Sequence, residues 1–463
     1  MGRQLSYSAA SYPPPVAGGN RVTAQRIALV VLTLLALIHP NQTIAQLDAT
    51  LYNMPSIPQL KYTNPASNTD YRFYIGLPVI SSVYANIHHN GFVLADLVKR
   101  RADDSIYFDV PNVISKLGEK NVFGFDAQID WFSFGFKKDK THFFVNVTEK
   151  ASLRIRYPKD LIVLLWEGNA GFIDKTIDFS GAALRVVYYR EYAFGMAREL
   201  NEHLTVGAKL KLLYGIANTS TKVKTLSLYT APNTYELTGS SDLVINTSAP
   251  PDDGSPFSDY FFTKSKNLGI GIDLGASYKL NDRFDFSASL IDLGAIKWKT
   301  NPGNYSNKLD GVTFEGNSIN TFIDTAVTKP FETIFDSLKI SFINVDTTYN
   351  AYWDALTPHI YLGGNYNINE TNKVGLLLHS EYFKKSFYPS LTLSYNYRLL
   401  KWIGASASYS IMHRSYFNLG LGLSLNLGPF QIYAISDNFG ALFNLARINE
   451  NIIVPNTART AHI

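Results

Sequence analysis

The nine histidines of this 463-residue sequence are the first place to look for chemistry: His39, His88, His89, His142, His203, His359, His379, His413 and His462. None sits in a spacing such as HExxH, which would hold a metal and activate water. There is no cysteine, so thiolate nucleophiles, thiolate metal sites and disulfides are all excluded. His88 and His89 are adjacent, hence on opposite faces of any strand, a poor arrangement for joint ligation. His379 and Glu381 would share a strand face, either as an acid–base dyad or as a structural polar pair. Gly269, Gly271 and Gly275 lack dinucleotide-loop spacing, and simple alternation accounts for each. The expectation is therefore no enzyme, no metal and no cofactor; a hydrolase would require Ser, His and an acid to converge at one rim.

A set of cations is more suggestive. Lys150, Arg154 and Arg156 recur at even positions of one segment, and Lys209 and Lys211 at odd positions of another. If these faces point into an enclosed space, the ladder attracts anions, fatty-acid carboxylates among them. Equally, it neutralises inward acids such as Asp273 in a filled interior. Asp292 and Gly294, in the run Asp292–Ile296 (DLGAI), mark either a functional kink or a β-bulge.

The elements that must position these residues are strands. In Phe143–Tyr157 one face carries Phe143, Val145, Val147, Ala151, Leu153, Ile155 and Tyr157, and the other is polar. Glu149 is a misfit on the apolar face, and Phe144 on the polar one. Leu204–Ile216 and Leu268–Leu280 alternate likewise, with Leu213 as a misfit, and Leu391–Leu399 and Phe417–Leu427 alternate without error. Period two means strands. They run about nine to fifteen residues, longer than the usual five or six of soluble sheets and enough to cross a bilayer when tilted. Tight turns such as Lys138-Asp139-Lys140, Asn281-Asp282 and Gly428-Pro429 separate several of them. With 29 Tyr, 29 Phe and 31 Gly against 17% charged residues, the composition suits thin apolar faces rather than a bundle of membrane helices. The fold expected is all-β: a transmembrane antiparallel up-and-down β-barrel of about 14 strands, with short helical inserts that plug or cap the lumen. A soluble β-sandwich would alternate too, but would leave the strand lengths unexplained.

Arg26–Gln46 (RIALVVLTLLALIHPNQTIAQ) holds a continuous apolar run, Ile27–Ile38, too short to span a membrane and stopped by Pro40. Flanking arginines and the exit Thr43-Ile44-Ala45 describe a secretory signal cleaved after Ala45. Residues 1–45 are thus read as a disordered extension plus signal, 46–455 as one barrel domain and 456–463 as a tail. Pro158–Trp166 predicts a buried apolar helix, in the barrel mouth or against lipid, and 91–120 one or two short helices. Within the barrel, 300–356 does not alternate and is expected to be a long loop or plug, with a helical stripe at Phe331, Ile334, Phe335 and Leu338. A net charge of +4 is too small and dispersed for a nucleic-acid partner.

Several stretches carry a resemblance. Asn64-Pro65-Ala66 resembles an element near the mature N-terminus of FadL-like and PorV-like outer-membrane barrels. Thr148–Asn169 (TEKASLRIRYPKDLIVLLWEGN), Tyr189–Leu200 (YREYAFGMAREL) and Ser289–Trp298 (SLIDLGAIKW) resemble an uncharacterised Bacteroidota family, domain of unknown function 5723, from about Leu47 to Asn438. The resemblance implies a bacterial outer-membrane barrel and brings no catalytic residues. One departure is Phe443–Val454, which alternates poorly where a terminal strand is expected. The family supplies no established activity; its relation to FadL-like and PorV-like barrels makes the expected function FadL-like passage or binding of hydrophobic or amphipathic small molecules, or else a PorV-like accessory role with secretion-complex components. Outer-membrane lipid is the partner common to both.

Overall fold

The computed structural model describes residues 49–69, 71–78, 81–101, 103, 105–250, 257–314, 345–384, 386–400, 402–412, 415–439, 445–449, 452–455 and 460–462. The signal-like stretch and the stripe at 331–338 lie outside them.

The chain is all-β with a few helical inserts. Its wall begins with two short strands, Phe73–Gly76 (β1) and Val83–His89 (β2), which share one partner, Lys120–Lys138 (β3). Thr141–Pro158 (β4), Ala183–Glu199 (β5) and the long Leu204–Thr230 (β6) follow in antiparallel succession. Leu237–Ser248 (β7) pairs with the second half of β6, whereas Asn267–Lys279 (β8) pairs with the first half. Phe284–Trp298 (β9) pairs with β8. Pro302–Phe314 (β10) and Val345–Thr348 (β11) extend β7 into a side sheet, and Tyr352–Ala355 (β12) lies along β9. The wall resumes with His359–Asn367 (β13), Asn372–Phe383 (β14), Ser386–Leu400 (β15), Ile403–Met412 (β16), Ser415–Leu427 (β17) and Phe430–Ser436 (β18), each antiparallel to its predecessor in the wall. Thr460–His462 (β19), within the segment read as a tail, adds to β2.

Among the described residues no ladder joins β18 to β1. Side chains bridge that seam instead: the Tyr433 hydroxyl donates to the Ser81 carbonyl at 3.1 Å, and the Tyr71 hydroxyl to Asn426 at 2.7 Å. No helix among the described residues is long and apolar enough to cross a membrane.

Three expectations change. First, 300–356 is not simply a loop, since it supplies β10, β11 and β12. β10 and β11 carry polar residues on both faces and β10 pairs with β7 through polar contacts such as Asn304 to Asn246, while β12 (YWDA) is only four residues long, so no alternation betrays them. Second, the helix at Pro158 forms, as Lys159–Glu167 (α1), with Pro158 before it and Gly168 at φ +76° ending it; none of its residues is buried by the rest of the chain, so of the two expected places it does not take the one in the interior. The adjacent interior is already filled by Val122, Phe383 and Tyr388. Third, Leu445–Asn449 and Ile452–Pro455 pair with each other and not with the wall, which is why that stretch lacks a wall strand's alternation.

Candidate functional site

Burial along the wall is inverted relative to a soluble protein. Large apolar side chains are exposed: Leu393, Tyr395, Tyr397 and Leu399 on β15, Leu419, Leu421 and Leu423 on β17, and Ile270 at 73% on β8. The residues between them are buried and polar: Thr392, Ser394, Ser406, Ser408, Ser410, Asn418 and Ser424. A soluble domain buries the first set and solvates the second.

What covers the polar face is the chain's own N-terminal segment, residues 49–69. Two tight helical turns, Leu51–Asn53 and Pro58–Tyr62, hold it compact. It touches the wall nearly all the way round. Ala49 and Thr50 donate their backbone N–H groups to Asp437, at 3.2 and 2.8 Å. Thr50 meets Ser408, Asn53 donates to Ser394, and Tyr52 meets Ser287. Tyr62 donates to Asp130 on β3 at 2.5 Å, and Ser289 to the Thr63 carbonyl. Small wall residues make room: a side chain on Gly275 would collide with Asn64 and Pro65, and one on Gly207 with Pro65 and Ala66. A single segment of this length can reach β3, β9, β15, β16 and β18 only if the sheet curves around it.

Behind the segment lies a buried ionic network. Lys211 contacts Asp273 at 2.6 Å, Asp292 at 2.5 Å and Glu191 at 3.4 Å. Lys209 contacts Asp273 at 2.8 Å and Glu191 at 3.3 Å, and Lys150 contacts Glu191 at 3.0 Å and Asp292 at 3.6 Å. Three lysines thus meet three carboxylates. Asp292 enters through the backbone: it adopts φ +61° at an irregularity in the β8–β9 register, and its N–H donates to Asp273 at 2.7 Å. Gly294 is not the kinked residue. It is the one that lets β9 close on β8, because a side chain there would meet the Ile270 carbonyl at 2.5 Å.

Arg154 reaches Asp126 at 2.9 Å and, from β4 to β14, Glu381 at 3.5 Å. Arg156 is set apart, donating to the Gly181 carbonyl. Glu381 does not pair with His379, which instead stacks on His359 with ring nitrogens 3.2 Å apart. His88 is buried and His89 turns to the Tyr157 hydroxyl, so the two are indeed split. Sequence reasoning missed Glu191, although the alternation Ala193-Phe194-Gly195-Met196-Ala197 places it inward. It also missed Lys61 and Asp130; Lys61 lies on no strand and carries no periodic signal.

The misfits resolve too. Glu149 on the outer face pairs with Arg190 at 2.5 Å, beneath Phe261, whose ring lies 4.3 Å from the guanidinium. Phe261 belongs to a helical turn, Tyr260–Lys264, folded back onto the wall. Phe144 and Leu213 are buried on the inner face, the latter among Trp298, Ile296 and Tyr189.

Among solved structures, the chain is similar to a "TodX monoaromatic hydrocarbon channel deltaS2 mutant", at 11% identity and TM-score 0.39, covering 86% of this chain and 90% of that one. It is similar to a Pseudomonas aeruginosa FadL homologue at 10% identity and TM-score 0.39, covering 82% and 85%. It is also similar to the translocator domain of autotransporter NalP from Neisseria meningitidis, at 6% identity and TM-score 0.30, covering 78% and 90%. No curated protein matches. A family model matches residues 65–437, which is most of the wall described above, and the chain belongs to that family, the Family of unknown function (DUF5723).

Proposed function

We propose that this protein is an outer-membrane β-barrel that passes hydrophobic or amphipathic small molecules, with residues 49–69 as a displaceable plug in its lumen. The observation that carries this is the inverted burial. A wall with Leu, Ile, Phe and Tyr outward and Ser, Thr, Asn, Lys and Asp inward is stable where the outside is lipid. The strand ladders satisfy the backbone along the wall within that lipid, and the reading requires the edges at β18 and β1 to meet, where the Tyr433 and Tyr71 hydrogen bonds already cross. The short turns at 139–140, 281–283 and 428–429 share one end, which faces the periplasm, as in outer-membrane barrels generally.

The plug supports passage because its hold is largely a set of single hydrogen bonds to hydroxyls and amides, each of modest net strength. The test is solute uptake by liposomes carrying the purified protein, with and without residues 46–69. Toluene or decanoate entry that rises on deletion supports the reading; identical, leak-level entry in both overturns it. Single cysteines at 393 and 394 test the wall: a bilayer-embedded probe should reach position 393 only.

A second reading is an accessory barrel that binds secretion-complex components. The ionic network and the Arg154–Glu381 bridge favour it, since they fill the interior with charge pairs rather than leaving a path. An inert protein in the uptake assay that co-purifies with a secretion component would support this reading over the first.

A further inference from the structure

The helix α1 is apolar and uncovered. Its charges stand at its two ends, Lys159 and Asp160 at the start and Glu167 at the close, and the six residues between them, 161–166 (LIVLLW), are all apolar. A helix that is apolar all round is ordinarily buried. No residue of α1 is buried, and Trp166 is 54% exposed. At nine residues α1 is also shorter than the roughly 12–15 below which an isolated helix is marginal in water. Its persistence calls for a surface beyond those the chain supplies.

The position of α1 says which surface. It packs against the short helix Val110–Lys116, and the Lys159 backbone N–H donates to the Glu119 carbonyl at 3.1 Å. That short helix belongs to the insert between β2 and β3, which folds over the outer face of the wall. Alternation along β2 fixes the faces: Asn86 and His88 are buried inward, Val83 and Ile87 are exposed, and His89 lies on the side of Ile87. The His89 ring sits 4.4 Å from that of Phe92 in the insert, and its Nε2 meets the Tyr157 hydroxyl at 2.6 Å. A side chain on Gly91 would collide with Leu117, which ends the short helix. Insert and helix thus form a ledge outside β2–β4. The ledge stands at the end opposite the tight turns, since β4 runs from the turn at 139–140 to Pro158. The insert exposes two further aromatics, Tyr107 and Phe108.

We propose that α1 is an interfacial anchor lying in the outer leaflet beside the wall, with lipid acyl chains covering residues 161–166. The inference rests on the reading of the wall as a lipid-facing barrel. Three observations favour lipid over a protein partner. The ledge is continuous with the apolar outer face that carries Val83 and Ile87. Residues 161–166 offer no polar side-chain group except the Trp166 indole N–H, so polar recognition has little to grip. An indole beside a charged helix end, here Trp166 next to Glu167, suits the boundary between acyl chains and headgroups.

The test uses the absence of cysteine, which lets single cysteines at 166 and 393 carry a fluorophore without background. Full-length protein in phosphatidylcholine liposomes is quenched by phosphatidylcholines brominated either near the headgroup or near the chain ends, and separately by aqueous iodide. Heat-modifiable gel migration confirms that each variant is folded. Position 166 should be quenched roughly twofold or more better by shallow than by deep bromine. Position 393, in the middle of β15, should show the reverse order, and iodide should reach neither. Bromine quenching at 393 with only iodide quenching at 166 overturns the anchor and keeps the barrel. Shielding of 166 from both quenchers means that protein covers the helix, a second copy included, and overturns the anchor too. Bromine quenching at neither position removes the barrel reading, and the anchor with it.

Discussion

Lys211 and Lys61 are both buried lysines of the interior, and their surroundings are opposite. Lys211, on the wall, touches three carboxylates, Asp273, Asp292 and Glu191. Lys61, on the plug, touches a backbone carbonyl and an aromatic ring. A buried charge is tolerated where partners and hydrogen bonds repay its desolvation, and is a weak point where they do not. On the proposed reading of residues 49–69 as a plug, the difference sets a charge-balanced wall against a plug whose docking is opposed by the charged form of Lys61.

The comparison is broken most severely by unbalancing the network. Glu191 contacts Lys150, Lys209 and Lys211 from a fully buried position, so Glu191→Gln leaves three ammonium groups facing two carboxylates. Removing one partner of a buried ion pair typically costs ~3–5 kcal/mol. Glu191→Gln should fold poorly or lose most of its heat-modifiable band at a urea concentration that wild type withstands. Wild-type urea resistance in this variant would mean that the network is hydrated and not a structural core.

Next in size is the pH response of plug docking. With the plug out, Lys61 titrates near 10.5; with it docked, near 7. Between these values the undocked form holds a proton that the docked form lacks, so docking strengthens as pH rises from about 7 to about 10 and is weakest below 7. The groups facing Lys61 are Lys137, His142, Tyr74 and the Tyr62–Asp130 pair, and the Tyr62 hydroxyl, raised well above its usual range by burial and then by Asp130, stays protonated throughout the window. The gain is at most a few kcal/mol over the window. Protease protection of residues 49–69 should therefore increase with pH in wild type and stay flat in Lys61→Met. A wild-type profile as flat as the variant's would mean that Lys61 is solvated even when docked.

How much of this could be read in the sequence follows from where periodicity operates. The wall was legible because a strand with different solvents on its two faces must alternate. Its misfits were the informative positions: Phe144 packs beneath Lys61, Leu213 joins Trp298, and Glu149 is sheltered with Arg190 by the folded-back Phe261. The inward basic ladder was visible too, and with it Asp273 as one inward acid, but not that Glu191 and Asp292 join it, because the three carboxylates come from three strands whose register no single strand reveals. Asp292 was noticed only as a possible kink, and its left-handed backbone turns out to be what aims it at Lys211. The plug left no pattern, since two short turns and extended links have no period, and Lys61 was invisible for that reason. The strands of 302–314 and 345–348 escaped because both of their faces are polar.

The finest test adjusts the electrostatics around Lys61 without touching it. Lys137 is partly exposed, is held by Glu199 at 2.6 Å, and is the charge that adds to burial in depressing Lys61. Lys137→Met removes that repulsion while leaving Lys61 buried. The Lys61 amine should then titrate higher, and the pH at which docking begins to strengthen should move upward by less than about one unit, since a partly exposed charge is screened. Raising the ionic strength should produce part of the same shift in wild type and none in Lys137→Met. If the onset moves in neither case, burial alone sets the Lys61 amine. The unpaired lysine of the plug would then differ from the paired lysines of the wall by desolvation alone, with no contribution from its charged neighbour.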